Sequence, residues 1–165
     1  MTVLDQVVDA FRASATSSGL EEVLAGEEPE RLGRVLADAL AARVEWDRHV
    51  GRLLEVDEAR RRLGVKSRQA VYQRLRRGTL LGWEDSGRLV FPEFQFRARG
   101  GIYPGLTDAL RVLKAASMRP KTLASWFHSP QPELDGETPL GWLRQGKSRE
   151  VLLRAARQTA GALAH

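Results

Sequence analysis

Cationic and amide side chains are concentrated between residues 60 and 77, in the segment RRRLGVKSRQAVYQRLRR. This segment holds eight Arg or Lys residues and no acidic residue. Basic side chains displace counterions from nucleic-acid phosphates, and Arg and Gln match guanine and adenine edges in the major groove. The segment is therefore a candidate DNA-binding site, with the predicted contacts Lys66, Ser67, Arg68, Gln69, Tyr72, Gln73 and Arg76.

One stretch resembles a catalytic or nucleotide-binding motif. Residues 141–148, GWLRQGKS, match the phosphate-loop pattern G-x-x-x-x-G-K-S. A phosphate loop follows a buried strand, whereas this stretch follows LDGETP. Trp142 and Leu143 are also poorly suited to a loop whose bare backbone must wrap around phosphates. We interpret the match as chance.

Metal and acid–base chemistry find little support in the sequence. His49, His128 and His165 are far apart and have no ligand-spaced partners, and the absence of cysteine excludes disulfides and thiolate zinc sites. Carboxylates cluster at residues 27–28 and 133–137, in spacings typical of helix starts and turns rather than buried acid/base pairs. The sequence predicts a protein that is not an enzyme, with no metal, cofactor or catalytic residue.

Two short helices are predicted to position the basic segment. Asp57 is the expected N-cap of the first helix, and Gly64 is expected to end it. Ser67 should cap a second helix over residues 68–77, closed by Gly78. Apolar residues four apart in that helix would pack on the first helix and leave its Arg and Gln side chains outward.

A β-hairpin is predicted directly after these helices. Two β-prone runs, residues 80–83 and 88–91, flank an Asp-Ser-Gly turn. A hairpin in this place is the wing of a winged helix-turn-helix, and Arg88 is its predicted phosphate contact. The alternative is an ordinary small α/β subdomain whose charges form a solvated face.

The helix-turn-helix segment resembles a known family of DNA-binding domains. Residues 63–80 carry Leu-Gly-Val, Ser-Arg, Val-Tyr, Arg-Arg-Gly and Leu in that order. The segment in this respect resembles the winged helix-turn-helix of MerR and excisionase-type regulators. The resemblance implies binding to double-stranded operator DNA.

Charge divides the 165 residues into three predicted domains. Residues 1–50 carry 5 basic and 10 acidic side chains, residues 51–99 carry 12 and 6, and residues 100–165 carry 9 and 5. The positive charge is therefore greatest around the candidate DNA-binding segment. We assign 1–50 to a helical arm, 51–99 to the winged helix-turn-helix and 100–165 to a helical C-terminal domain, which gives a mainly α fold.

The helical arm is expected to contain a long amphipathic helix from Pro29 to about residue 50. Its apolar side suits either core packing within one subunit or contact between two subunits. Helix-turn-helix proteins usually bind two half-sites as symmetric dimers, so we expect a homodimer. No run reaches the ~18 apolar residues of a membrane span, and the N-terminus lacks a basic leader, so we expect a cytoplasmic protein without membrane contact.

Proline and threonine residues divide the C-terminal domain into predicted helices. Pro120 is expected to end the first of them, Thr122 to cap a short second helix, and Thr138 with Pro139 to begin a third.

The C-terminal domain also shows a spaced set of aromatic residues, prolines and glycines. The set resembles the toxin-binding domain of Xre/MbcA/ParS-type antitoxins, and it comprises Leu123, Trp126, Phe127, Pro130, Leu134, Gly136, Pro139, Leu140, Gly146, Val151, Leu152, Ala155 and Ala156. Most of its bulky members, Trp126, Phe127 and Leu134, and also Trp142, are expected in the core rather than at an interface.

That resemblance implies a partner. In the family, the domain binds a cognate RES-type toxin, which consumes NAD, and blocks its active site with the C-terminal region. Carried over to this chain, Arg154, Arg157 and His165 are candidate toxin contacts. The predicted function is the antitoxin of a type II toxin–antitoxin module that also represses its own operon. The alternative is a stand-alone DNA-binding regulator whose C-terminal domain only oligomerises.

Overall fold

The computed structural model describes residues 1–163, which form a mainly α-helical chain with one small antiparallel sheet. This confirms the predicted fold class. The helices are α1 Val3–Ser17, α2 Leu20–Leu24, α3 Pro29–Val50, α4 Val56–Leu63, α5 Arg68–Arg76, α6 Pro104–Ala115, α7 Pro120–His128, α8 Pro139–Arg144 and α9 Arg149–Leu163. The strands are β1 Leu53–Glu55, β2 Trp83–Asp85 and β3 Arg88–Pro92.

The chain divides into two compact units, Met1–Val44 and Glu45–His165. The first unit contains α1, α2 and most of α3. The second contains the end of α3 and all later elements, so the predicted division at residues 99 and 100 lies inside it. No helix within residues 1–163 is long and apolar enough to cross a membrane.

Several helix ends follow from predicted capping residues. Ser67 accepts a hydrogen bond from the Ala70 amide at 3.2 Å, and Thr138 accepts one from the Gly141 amide at 3.0 Å. Each hydroxyl satisfies one of the amides that the first turn of a helix leaves without a partner. Gly64 ends α4 in the left-handed conformation, as predicted.

Two predicted helix starts are wrong. Asp57 is not the N-cap of α4, because the helix begins at Val56 after Glu55, and the Asp57 carboxylate pairs with an Arg side chain instead. Pro120, expected to stop the preceding helix, occupies the first turn of α7. Proline has no amide to lose at that position, so it fits a helix start better than the predicted cap at Thr122.

The predicted hairpin is present and belongs to a larger sheet. β2 and β3 pair in antiparallel register, with Trp83 opposite Val90, around a turn in which Ser86 and Gly87 both have positive φ. β3 also pairs with β1, which gives the order β1-β3-β2. β1, which precedes α4, is therefore hydrogen-bonded to β3, the second strand after α5, so the helix pair is enclosed between strands of one sheet.

Two apolar clusters hold the second unit together. The smaller one lies between the helix pair and the sheet, and its buried members are Leu54, Ala59, Val71, Leu80, Phe91 and Phe96. The larger one joins the sheet to the C-terminal helices. It contains Leu81, Trp83, Val90 and Phe94 together with residues of α6, α7, α8 and α9, among them Leu106, Leu110, Phe127 and Leu152.

A buried amide joins the segment before β2 to the end of β3, at the open end of the hairpin. Gln95 is fully buried, and its side chain accepts a hydrogen bond from the Leu81 amide at 2.8 Å. It also donates to the carbonyls of Leu81 and Pro92 at 2.8 and 3.0 Å. Buried polar groups are tolerated when they are paired, and this amide pairs backbone that no strand satisfies.

The first unit buries almost none of its apolar side chains. Ala15 is its one residue classed as buried. The exposed large apolar residues are Met1, Val3, Leu4, Val7, Val8, Phe11, Val23, Val35, Leu36, Leu40 and Val44, with 39% to 91% of each accessible to solvent. Two roles are predicted for the long helix, core packing within one subunit and contact between two subunits. This exposure disfavours core packing.

Candidate nucleic-acid interface

Helix α5 is held with one side against the rest of the second unit. Val71 is fully buried and Leu75 is half-buried, and both pack in the smaller cluster with Ala59 of α4. The left-handed Gly64 and the Ser67 cap set the turn between α4 and α5. The outward side of α5 is thereby fixed by the packing of its inner side.

The outward side carries the side chains predicted to contact bases. Gln69, Gln73 and Arg76 are exposed, and Lys66 is exposed just before the helix. Successive helical positions differ by about 100° in direction, which places these three α5 side chains opposite Val71. Amide and guanidinium groups therefore stand together on one ridge, free to hydrogen-bond an external partner.

Arg68, another predicted base contact, is held within the protein. Its Nε donates to Oδ1 of Asp57 at 2.9 Å, and its second nitrogen pairs with Oδ2 of the same carboxylate. The hydrogen bond from Arg68 lowers the pKa of Asp57, and the hydrogen bond to Asp57 raises the pKa of Arg68. Arg68 thus lies on the flank of α5 that faces α4, and its guanidinium is paired with the Asp57 carboxylate.

The other cations of the basic segment fall into two groups. Arg60 lies 3.8 Å from Asp57, and Arg62 pairs with Glu93. The second group is exposed, and within residues 1–163 none of its members lies within ion-pair distance of a carboxylate: Arg61, Lys66, Arg74, Arg76 and Arg77. The second group supplies the charge that could meet phosphates.

The wing lies beside one flank of α5. Its predicted phosphate contact, Arg88, is largely exposed and donates to Glu55 at 3.0 Å. Tyr72 of α5, with 39% of its surface exposed, lines a depression of about 400 Å³ together with Arg88, Glu55 and Leu89. Tyr72 and Arg88 therefore belong to one surface that joins the helix to the sheet.

A second cationic surface lies on the opposite flank of α5. Arg74 and Arg77 line a cleft of about 490 Å³ with Arg111, which belongs to α6. Arg74 and Arg77 belong to the basic segment but are not among the predicted contacts, and Arg111 lies outside that segment. Helical periodicity could have separated the two flanks of α5, but nothing in the sequence indicates that α6 lies beside it.

Two of the three predicted toxin contacts, Arg154 and Arg157, are on α9. Leu152, Ala155 and Ala156 are fully buried where α9 packs on α6. Arg154 and Arg157 are exposed, and neither forms an ion pair in the part of the chain that the structure describes. His165 lies outside the described residues. The two arginines are thus available to an external partner.

The aromatic residues of the C-terminal set are structural, as expected. Trp126, Phe127, Leu134 and Trp142 are buried. The Trp126 indole donates to Thr159 at 3.0 Å, and the Trp142 indole donates to the Ser148 carbonyl at 2.8 Å. Most of the residues that carry the family resemblance therefore shape the domain rather than its surface.

The stretch that matches a phosphate loop lies in a helix and the turn after it. Its first four residues, 141–144, belong to α8, and residues 120–140 directly before it contain no strand. Lys147 pairs with Glu137, and hydrogen bonding from Lys147 lowers the pKa of that carboxyl. The lysine is therefore engaged within the protein rather than aimed at an empty loop.

Two histidines far apart in the sequence meet in the structure. The rings of His49 and His128 lie 4.8 Å apart, beside a cavity of about 570 Å³ that Arg144 also lines. Burial lowers the pKa of His128, and the nearby His49 and Arg144 act in the same direction. His49 and His128 are thus neighbours in the fold although they are distant in the sequence, and residues 1–163 contain no group of three or more His, Cys, Asp or Glu side chains that could hold a metal ion.

The fold is similar to one solved structure, described as the NMR structure of Rv2175c. The two chains align with a TM-score of 0.55 and 27% sequence identity, over 66% of this chain and 81% of the other. No protein-family model matches the sequence, and none of the curated proteins matches it.

Proposed function

We propose that this chain is a DNA-binding regulatory protein that places α5 in the major groove of double-stranded operator DNA. The observation that carries the proposal is the outward ridge of α5, where Gln69, Gln73 and Arg76 are exposed beside cations that have no carboxylate partner among residues 1–163. The proposed function requires no catalytic group or cofactor, and it places the protein in the cytoplasm, where bacterial DNA lies.

The dimensions of α5 fit this role. Its nine residues span about 14 Å at the usual rise per residue. The major groove is about 12 Å wide and admits one helix. With α5 in the groove, Arg61 and Lys66 are available to phosphates, and the wing with Arg88 reaches toward the backbone beside the groove. Arg68 can contribute only if its pairing with Asp57 is shared with DNA or broken.

The test compares a ridge residue with a phosphate residue. A preferred duplex is first selected from a random pool, and affinities for its single-base variants are measured. Gln69→Ala should remove the preference at one base pair, at a cost of roughly 1–3 kcal/mol for the preferred base. Arg61→Ala should weaken binding to every duplex alike and lower the salt dependence.

Equal effects from the two substitutions would show that α5 does not contact bases. Absence of binding to any duplex at low salt would contradict the proposal as a whole.

We further propose that the C-terminal helices bind a RES-type toxin, which makes the protein an antitoxin that represses its own operon. Support comes from the spaced residues of the family resemblance and from two exposed, unpaired arginines on α9, Arg154 and Arg157. Such cations would suit an acidic rim around the toxin's active site.

Co-expression tests this second part. A toxin encoded beside this chain should co-purify with it and lose its NAD-consuming activity, and a double substitution, Arg154→Glu with Arg157→Glu, should weaken both effects. Arg119→Glu, another exposed arginine, serves as the control. If no neighbouring toxin binds or is neutralised, the alternative stands, in which the C-terminal domain only oligomerises a DNA-binding regulator.

A further inference from the structure

The cleft between α5 and α6 has an unusual concentration of uncompensated charge. Arg74, Arg77 and Arg111 all line it, and no carboxylate does. In the described part of the chain, none of the three guanidinium groups forms an ion pair. Guanidinium groups held around one cleft repel one another, and an anion between them would offset that repulsion.

The chemistry of the remaining lining also suits a phosphate. Thr107 and Gln73 line the same cleft and supply hydroxyl and amide donors, whereas the Thr79 hydroxyl donates to the Arg74 carbonyl at 3.1 Å. Arg offers a planar fork of donors that matches phosphate oxygens in pairs. A phosphodiester has one negative charge, which is spread over two non-bridging oxygens. Two of the arginines can each hydrogen-bond one of these oxygens.

The ion pairing of the α6 side chains leaves the positive charge of the cleft in place. The acidic residue of α6, Asp108, pairs with Arg149 of α9 and therefore does not neutralise Arg111. Lys114, half-buried on α6, donates to the Leu80 carbonyl at 3.3 Å. This bond ties α6 to the segment that follows α5, so the two walls of the cleft are held at a fixed separation.

The cleft lies across α5 from the wing. Tyr72 lines the depression next to Arg88, whereas Arg74 and Arg77 line the cleft next to Arg111. Gln73 belongs both to the outward ridge and to the cleft wall. A helix in the major groove has a phosphate backbone on each side. The wing and the cleft therefore flank the ridge as the two backbones flank the groove.

We infer that this cleft is a second phosphate site, in which Arg111 of α6 contacts the DNA backbone on the side of α5 opposite the wing. The cleft has this role only if the proposed DNA binding is correct. Its consequence is that the first helix after the wing, which packs on α9, forms part of the DNA interface. Binding of a partner to α9 then acts on a helix that itself contacts DNA.

Salt titration of DNA binding tests the inference. The variants are Arg111→Gln and the control Arg119→Gln, another exposed arginine that carries no ion pair in the described residues. Each phosphate contact contributes about 0.9 to the slope of log affinity against log salt. Arg111→Gln should lower that slope by about one unit and leave the base preference unchanged. Arg119→Gln should leave both unchanged.

Three results would overturn the inference, and they are distinguishable. An unchanged slope for Arg111→Gln, with Gln69→Ala still altering base preference, removes the cleft from the interface but leaves the proposed DNA binding intact. Absence of DNA binding by the unaltered chain removes both. The third result concerns free anions. If inorganic phosphate shifts the Thr107 amide resonance and Arg111→Gln abolishes that shift without altering the DNA slope, the cleft binds free phosphate rather than DNA.

Discussion

In the proposed interface, Asp57 determines whether Arg68 is free to contact DNA. The carboxylate holds the guanidinium by two contacts and is itself shared with Arg60. Carboxylates beside a nucleic-acid surface oppose phosphate binding, so Asp57 should lower the affinity of the proposed complex, although the sequence alone indicates an uninterrupted cationic segment. The proposed DNA-binding surface is therefore less positive than its composition predicts.

Removal of the Asp57 charge should strengthen DNA binding. In Asp57→Asn, Arg68 is released from its ion pair and one negative charge is lost, so affinity for any duplex should rise and the salt slope should steepen by up to about one unit. Asp135→Asn, an exposed change far along the chain, is the matched control. Weaker binding by Asp57→Asn would instead mean that Asp57 orients Arg68 for contact with a base.

His128 should make stability depend on pH. Burial, with help from the charges of His49 and Arg144, lowers its pKa below the ordinary 6.5. At pH values between the pKa of His128 in the folded chain and its pKa in the unfolded chain, the unfolded chain therefore binds a proton that the folded chain does not bind. Stability is therefore complete above pH 6.5 and is lost as pH falls through the folded pKa.

The measurement is the urea midpoint between about pH 7.5 and about pH 5, the range in which histidine ordinarily titrates. His128→Phe, which keeps a ring against Phe94, should lose less stability over this range than the unaltered chain. Identical losses in both proteins would assign the pH dependence to other groups.

At the scale of elements, the attachment of the sheet to α5 depends on a close approach at Gly82. A Cβ at this position would lie 2.8 Å from Cδ1 of Phe91 and 3.0 Å from the Val90 carbonyl oxygen. Such distances require the ring or the strand to move. The segment between α5 and β2 can therefore pass over β3 only with a glycine there.

Gly82→Ala should destabilise the protein by about 1–3 kcal/mol, the usual cost of overpacking. It should also weaken DNA binding, because β3 carries Arg88. Gly33→Ala is the matched control, since nothing lies within 4 Å of a Cβ at that position in α3. There the change should stabilise by about 0.5–1 kcal/mol, as expected for a helix interior. Thermal unfolding measures both, and equal shifts of the same sign would contradict this account.

Local sequence patterns predict single helices and strands better than they predict which elements pair or pack with one another. Ser67, Gly64 and Thr138 act within a few residues of themselves, so their roles could be predicted from spacing. β1 could not be predicted in this way. Its three residues are too few to show a periodic pattern, and it pairs with a strand far along the chain. Pro120 was misassigned because proline suits both the end and the start of a helix.

In the candidate site, too, local patterns predict positions within a helix but not contacts between elements. The outward Gln69, Gln73 and Arg76 follow from helical periodicity around buried Val71. The pairing of Arg68 with Asp57 links residues 11 apart in different helices, and the approach of Arg111 to α5 depends on packing of the whole second unit. Neither has a local sequence pattern, since both arise from tertiary contacts.

At the scale of the whole molecule, the exposed apolar side chains of the first unit predict a dimer. Monomeric proteins rarely expose contiguous apolar patches of more than a few hundred Å², and larger patches mark association sites. Leu36, Leu40 and Val44 lie at intervals of four on α3, and 39% to 52% of each is exposed. A second copy of the chain can bury them on a shared stripe.

The joint substitution Leu36→Glu with Leu40→Glu should convert the dimer to a monomer in sedimentation experiments. It should also lower affinity for duplexes with two half-sites more than for those with one. Arg34→Gln, an exposed change about 200° around α3 from Leu36, should leave the dimer intact. A monomeric unaltered chain, or a dimer insensitive to the double change, would locate the association elsewhere.

The larger apolar cluster has a consequence for how such chains can evolve. Trp83, Val90 and Phe94, which belong to the sheet and the turn after it, are buried with Leu110, Phe127 and Leu152 of the C-terminal helices. A recombination event that exchanged residues 51–99 alone would cut through this cluster and leave unmatched apolar surfaces on donor and recipient. We therefore expect residues 51–99 and the C-terminal helices to be inherited as one block.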